Sequence, residues 1–481
     1  MEIHRLTRSH QNRFAPINRL PPEVLSSIPD FWDDHCRKKT AITLTHVCRE
    51  WRHVFISRPS LWTDFRCLDA DKTRVYLERS KHSPINLRLE REDGLLPNDP
   101  FLQISPYVVH RFKSLFVDTS PDHLQDIVDR LSYPAPLLND LFISGSLTHP
   151  DLNPILSTTL FDGDISSLHR LDLLSLRTDL PWRNMANLTL FSMFYIISPR
   201  VTVGQLLDFF ESAPRLSDVE LRFSAPEFTG TGRSVSMSNL RTLQFSDSQP
   251  SSLVLNHLLI PVGAELEIEL DNPGLEIENY LPGSLENLKN LLNFNKISLR
   301  FNRGTVTMEL SGPNGQVAIA SLSFKSDPTH SLLRCMTQLG VSKVKTLEIL
   351  GDPLCENLHR ALVSMENLQA FTLSLCQNPR DFILALNPDP SPKNPIPCPK
   401  LKTLLFRTEE GFDIGDVIYV AAVRAERGVP FQSVKIVTVN GAPFMPEWGV
   451  RELRKHVSHV CTGFRDYYEV CGCEDDSDQE C

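Results

Sequence analysis

No apolar run in this 481-residue chain approaches the 18 or so residues that a membrane-crossing helix needs; Phe191 to Ile197 is too short. The first residues carry Arg5, Arg8 and Arg13 and no apolar core of a leader peptide, so no secretory signal is expected. A cytosolic or nuclear location is the expectation. An excess of basic residues is missing too. Lys and Arg total 49 against 59 for Asp and Glu, a net charge of -10, which argues against a nucleic-acid-binding role for the chain as a whole. The 11 cysteines are odd in number and scattered, so no disulfide framework is expected and a reducing compartment would keep them as thiols.

Catalytic wording is absent as well. There is no G-x-x-x-x-G-K, no H-E-x-x-H and no G-x-S-x-G. Thr229-Gly230-Thr231-Gly232 bears glycine, but a Ser-rich loop follows it where a phosphate site would need a helix. His456, His459, Cys461, Cys471, Cys473 and Cys481 are the one cluster with metal-ligand chemistry. Cys471-Gly472-Cys473 has one intervening residue where zinc sites have two to four, and no second pair mirrors it. Neither enzyme activity nor a cofactor nor a metal is expected.

What the chain does have is a soluble, folded composition, with 41% hydrophobic and 22% charged residues. Its 35 prolines, about 7% against a usual share of about 5%, suit many short elements better than a few long ones. The length exceeds one ordinary core, so a small domain joined to a large or repetitive one is expected.

The first pattern lies near the start. Pro21 and Pro22 suit the opening of a short helix. That helix is expected to stop before Pro29, which disfavours the helical region at Ile28. Leu44, Val47, Cys48, Trp51, Val54 and Phe55 then fall on one face of a 3.6-residue period, predicting a single helix from Ala41 to Ile56. Pro59 closes it and opens a turn carrying Leu61 and Trp62.

These pieces resemble the F-box of the type common in mushroom-forming fungi. Ala15 to Leu25 matches its A-P-I-x-x-L-P-P-E-V-L phrase, Val47 to Arg52 its V-C-R-x-W-R, and Pro59 to Trp62 its P-x-L-W. The passage with Leu77-Glu78-Arg79-Ser80 and Pro84 is similar to the segment that follows the F-box there. The chain departs from the family at Ile28-Pro29, where members often carry Ile-Phe, and in the charged stretch Asp33 to Lys39.

The resemblance implies a substrate-receptor subunit of an SCF-type cullin-RING ubiquitin ligase. In that family the F-box docks on a Skp-type adapter joined to a cullin scaffold, and the following domain holds the protein to be ubiquitinated. Carried over residue by residue, it assigns Leu20, Pro21, Glu23, Val24 and Leu25 to the adapter-facing segment, with Val47, Cys48, Trp51 and Trp62 beside it. The alternative is an interaction scaffold with a degenerate F-box and no ligase attachment.

From about residue 101 a unit recurs: an amphipathic helix, a Pro- or Gly-marked turn, and a strand of the form apolar-x-x-apolar-x-apolar. Leu124, Ile127, Val128 and Leu131 precede Leu138, Leu141, Ile143; Leu206, Phe209 and Phe210 precede Leu216, Val219, Leu221. Leu332, Met336 and Leu339 precede Val344, Leu347, Ile349, and Leu358, Ala361, Leu362 and Met365 precede Leu368, Phe371, Leu373. Val417, Val420 and Ala421 precede Val434, Val437, Val439, and like strands begin at Leu168, Leu240 and Leu401.

A unit with one apolar face must stack on its neighbours. The expected fold class is therefore α/β, in part α+β: an irregular, leucine-rich-repeat-like solenoid with parallel strands. A doubly wound α/β domain shows the same alternation and stays open as an alternative. Between about 250 and 325 the runs at 266–270, 297–301 and 306–310 alternate with period two, and Pro313-Asn314-Gly315 reads as a hairpin turn, so antiparallel strands are expected there. The expected division is a flexible N-terminus at 1–15, the helical module at 16–66, a linker helix and strand at 67–100, the repeat domain at 101–470 and an acidic, disordered tail at 471–481.

Overall fold

The computed structural model describes residues 14–31, 41–67, 70–91, 101, 106–146, 153, 155–156, 160–163, 165–178, 184–194, 201–222, 232–246, 251–270, 281–292, 294–302, 305–312, 320–324, 336, 339–351, 358–375, 379–388, 395–408, 413–439 and 446–465. The expectations for the charged 33–39 stretch, the 313–315 turn, the 471–481 tail and Thr229 to Thr231 lie outside these residues. The fold is mixed α/β with extensive parallel sheet, in two compact units, 1–240 and 241–481.

The first unit opens with helices α1 (Pro22–Ser27) and α2 (Arg49–Ile56), then β1 (Asp64–Arg66), α3 (Ala70–Ser80) and β2 (Ile85–Arg91). β3 (Phe112–Thr119), α4 (Pro121–Arg130), β4 (Asp140–Ser144), β5 (Arg170–Leu174), β6 (Leu190–Phe194), α5 (Val203–Ser212) and β7 (Asp218–Arg222) follow. Each strand pairs with the next in sequence, and every pairing from β1 to β7 is parallel. β2, in the segment expected to be a linker, lies in the sheet between β1 and β3.

The strand pattern has a direct physical reading. In Leu138/Leu141/Ile143, Leu168/Leu171/Leu173, Leu188/Phe191/Met193 and Leu216/Val219/Leu221 every side chain is buried. The first apolar residue closes a tight turn, as where Leu168 N–H donates to Ile165 O at 3.1 Å, and the next two face the core at period two. α5 shows how the other layer is held. Thr202 and Gln205 form a reciprocal capping box, and the Phe209 ring lies 4.4 Å from that of Phe191 on β6.

The second unit contains β8 (Thr242–Ser246), β9 (Glu265–Leu270), β10 (Lys296–Asn302), β11 (Thr305–Ser311), β12 (Ala320–Phe324), β13 (Thr346–Leu350), β14 (Ala370–Ser374), β15 (Thr403–Thr408), β16 (Ser433–Val439) and β17 (His459–Arg465). Its sheet order is β8-β9-β12-β11-β10-β13-β14-β15-β16-β17. The antiparallel expectation holds for β10–β11 and β11–β12, but β9 pairs in parallel with both β8 and β12. β10 to β12 thus form a three-strand excursion traversed backwards, and β11 alone runs against the rest. Period-two alternation marks a strand with one covered face; it carries no information on direction.

One register differs from expectation. On β16 the core residues are Val434 and Ile436, opposite Leu404 and Phe406, with Phe431 taking the turn position and Val437 only half-buried. Period two decides the face here, so a pattern started three residues late puts the wrong valine inside.

A hydrogen-bond motif repeats in both units. The carbonyl before several strands accepts two N–H groups from the next: Asn139 O takes those of His169 and Arg170 at 2.8 and 3.0 Å, and Gln369 O those of Lys402 and Thr403 at 2.9 and 3.0 Å. Asparagine side chains reinforce it. Asn187 Nδ2 donates to Ser166 O at 2.9 Å while its Oδ1 accepts from Arg215 at 2.9 Å. In the second unit Asn367 does the same between Ser342 O and Lys400, at 2.7 Å each. Each asparagine therefore links three successive layers.

Candidate functional site

The helical module is built around aromatic side chains. Leu25, Ala41, Leu44, Trp51, Val54, Phe55, Leu61 and Trp62 form one buried cluster, with Ile28, Cys48, Ile56 and Tyr76 packed on it. Trp51 meets Phe55 edge to face at 5.5 Å, and Trp62 meets Tyr76 of α3 at 5.2 Å. The Arg79 guanidinium covers the Trp62 ring at 4.2 Å. Burial pushes the Tyr76 phenol above its ordinary range, with Arg79 opposing. The cluster thus leans on α3, beyond the expected boundary at residue 66.

The helix expected from Ala41 to Ile56 is two. Residues 41–45 are helical, a turn follows, and Cys48 is extended (φ -156°, ψ 177°) as the N-cap of α2, its Sγ accepting from Trp51 N–H at 3.5 Å. The break turns Val47 off the shared stripe and leaves it 52% exposed. Arg52 Nε mends the junction by donating to Thr45 O at 2.8 Å.

α1 ends at Ser27, as Pro29 requires, yet Ile28 keeps helical angles (φ -49°, ψ -44°). A separate 3-10 turn, Ile28–Phe31, starts there, so Pro29 sits where no N–H donor is needed. Arg58 clamps this turn, reaching Ser26 O and both Asp30 oxygens, at 2.7 and 2.6 Å.

The structure separates two roles that the sequence left merged. Leu25, Trp51 and Trp62 are core, and Cys48 is half-buried at the cap. Leu20, Pro21, Glu23 and Val24 are exposed, with Leu20 at 38% and Val24 at 48%. Ile17 joins them: it lies one 3-10 turn before Leu20, whose N–H donates to Ile17 O at 3.3 Å. Phe14, Phe31 and Ile42 are further exposed apolar residues of the module. Sequence reasoning missed Asn18, whose Oδ1 accepts the Trp51 indole N–H at 2.6 Å and ties the Pro16–Arg19 turn to the core. A buried tryptophan needs such an acceptor, and that requirement was the available signal.

Cys398 is buried, and burial pushes its thiol up to about 12, with Arg424 acting to lower it; Sγ lies 3.1 Å from Leu362 O. Such a thiol stays protonated and unreactive near neutral pH. Among the described residues no three His, Cys, Asp or Glu side chains gather as a metal site would require; Cys471, Cys473 and Cys481 lie outside them. No described helix is long and apolar enough to cross a membrane. No protein-family model matches the sequence, and no curated protein matches it either.

Proposed function

We propose that the chain is an F-box-type substrate receptor of a cullin-RING ubiquitin ligase: the helical module binds a Skp-type adapter, and the sheet region is an irregular leucine-rich-repeat-like solenoid that holds the target protein. The chain itself performs no catalysis in this reading and works in the cytosol or nucleus. The observation that carries it is the pair of apolar sets in one small module. Leu25, Trp51, Phe55 and Trp62 close a core, while Ile17, Leu20, Val24 and Val47 stay in contact with water. Unpartnered apolar side chains beside a complete core mark a protein-binding surface. The three pieces of F-box wording fall on this module. The strictly sequential order of β1 to β7 and the asparagine links between layers favour a solenoid over a doubly wound sheet, whose strand order reverses.

The test is binding of purified Skp-type adapter by the full chain and by Leu20→Asp with Val24→Asp. Burying a leucine or valine is worth about 1.5–3 kcal/mol, so the double change is expected to weaken binding by at least about tenfold while the melting curve stays in place. Intact binding by the variant would show that the surface is misassigned. If the unaltered chain binds no adapter, the scaffold reading replaces this one.

A further inference from the structure

The face of the first unit's sheet opposite its buried leucines is itself partly apolar, and it has an acidic centre. Phe116 and Phe142 stack face to face at 4.2 Å, and Leu174, Leu190 and Phe194 on β5 and β6 are half-buried beside them. Asp172 stands in register between Phe142 and Ser192 and is only 5% exposed. Its Oδ2 accepts from Arg170 Nε at 2.6 Å, but its Oδ1 is buried with no hydrogen-bond partner. A desolvated carboxylate oxygen without a donor is costly, which makes this a place where a donor from outside would be bound tightly.

The surrounding charges point the same way. The cations at the ends of the face are already engaged: Arg88 lies over Phe116 and 3.9 Å from Glu90, and Arg222 lies over Phe194 and 3.1 Å from Glu220. Asp140, in register with Arg170, and exposed Asp118 add negative charge nearby. The face therefore complements a cation set in an apolar surround. Neighbouring strands lie about 4.8 Å apart, so the aliphatic stem of a lysine or arginine can rest on the Phe142 ring while its head reaches Asp172.

We propose that this face binds a segment of the target protein that presents a lysine or arginine between two apolar residues. The cation donates to Asp172 Oδ1, one apolar neighbour packs on Phe116 and Phe142, and the other on Leu190 and Phe194. The inference rests on reading the sheet region as the target-holding part of the receptor, but not on adapter binding by the module.

Display of a random dodecapeptide library against the full chain tests it. The expected result is enrichment of sequences with Lys or Arg between apolar residues. The best such peptide should bind at least about tenfold more weakly when its cation is replaced by norleucine. Equal losses should follow from Asp172→Asn and from Leu190→Lys, which removes one apolar docking residue and sets a cation opposite Arg170 and diagonal to Asp172. Adapter binding and cooperative melting are expected to be unchanged in both variants. Enrichment without a cation preference, no enrichment at all, or equal binding by folded Asp172→Asn would overturn the proposal. Should the chain keep this peptide preference yet bind no adapter, the receptor reading falls and the peptide site stands.

Discussion

The helical module and the strands that follow it use the same apolar residue types to opposite ends. In β4 to β7 each leucine, phenylalanine or methionine of the repeating pattern is inside, because it lies on the sheet face that helices and turns cover, as α5 covers Phe191 through Phe209. In the module, short helices and 3-10 turns cannot cover one another so fully. The aromatic residues close a core, and Ile17, Leu20, Val24 and Val47 are left outside it. An apolar residue at a periodic position therefore means burial in one region and a free surface in the other, and what decides is whether a further element packs over it.

The sharpest test of this contrast is one substitution made in both places. Leu171 is fully buried, in register between Leu141 and Phe191. Leu171→Asp loses about 1.5–3 kcal/mol of burial and forces a carboxylate into an apolar layer, so the loss should exceed about 5 kcal/mol and deplete the soluble folded protein. Leu20→Asp should move the urea midpoint by no more than about 0.5 kcal/mol of stability, since that side chain is already in water. Comparable losses at both sites would mean that Leu20 belongs to the core.

A buried cation sets a second, smaller mark. Arg424 on the helix Ile414–Glu426 is fully buried and donates to the carbonyls of Leu386, Pro397 and Cys398, at 3.2, 2.8 and 2.9 Å. Its guanidinium also lies over Phe431, and burial lowers its pKa to about 10, so it remains charged at neutral pH. It thereby ties the end of the helix Arg380–Ala385, at its C-cap Leu386, to the turn at Pro397 and Cys398. Arg424→Leu nearly keeps the volume but removes the donor to the Leu386 and Pro397 carbonyls and leaves Cys398 O with only Leu401 N–H at 3.0 Å, so a loss of about 3 kcal/mol in urea unfolding is expected. A neutral result would show that these carbonyls find other donors.

Much of the architecture was legible in the sequence because period and spacing report burial directly. Leu141/Ile143, Phe371/Leu373 and the helix stripe Leu206/Phe209/Phe210 all lie inside as their spacing requires. What spacing cannot carry is direction, register at an ambiguous start, and local breaks. β9 alternates like its neighbours yet runs parallel, Val434 was one of two possible starts, and the cap at Cys48 interrupts a stripe that reads as continuous. The candidate surface was legible as wording but not as geometry. Trp51 and Val47 fall on the same stripe, and only the turn at 46–47 sends one to the core and the other to water.

The smallest expected effect concerns the asparagines that precede a strand leucine, in Met185-Ala186-Asn187-Leu188 and Met365-Glu366-Asn367-Leu368. The recurring Met-x-Asn-Leu is a repeat signal that a search for asparagine at the usual solenoid position passes over. Each of these side chains donates to a carbonyl in the preceding layer and accepts from a cation in the next. Both bonds are partly open to water, so Asn187→Ala or Asn367→Ala should cost about 1 kcal/mol. Asn→Asp distinguishes linkage from simple packing. It keeps the acceptor for Arg215 or Lys400 but sets a carboxylate against the Ser166 or Ser342 carbonyl, so it should cost at least as much as alanine despite its near-identical shape. Amide hydrogen exchange localises the result: protection should fall in β6 for Asn187 and in β14 for Asn367, the strands that each asparagine leads into. If Asn→Asp were neutral at both sites, the asparagines would fill space without joining layers, and the likeness between the two units would reduce to their leucines.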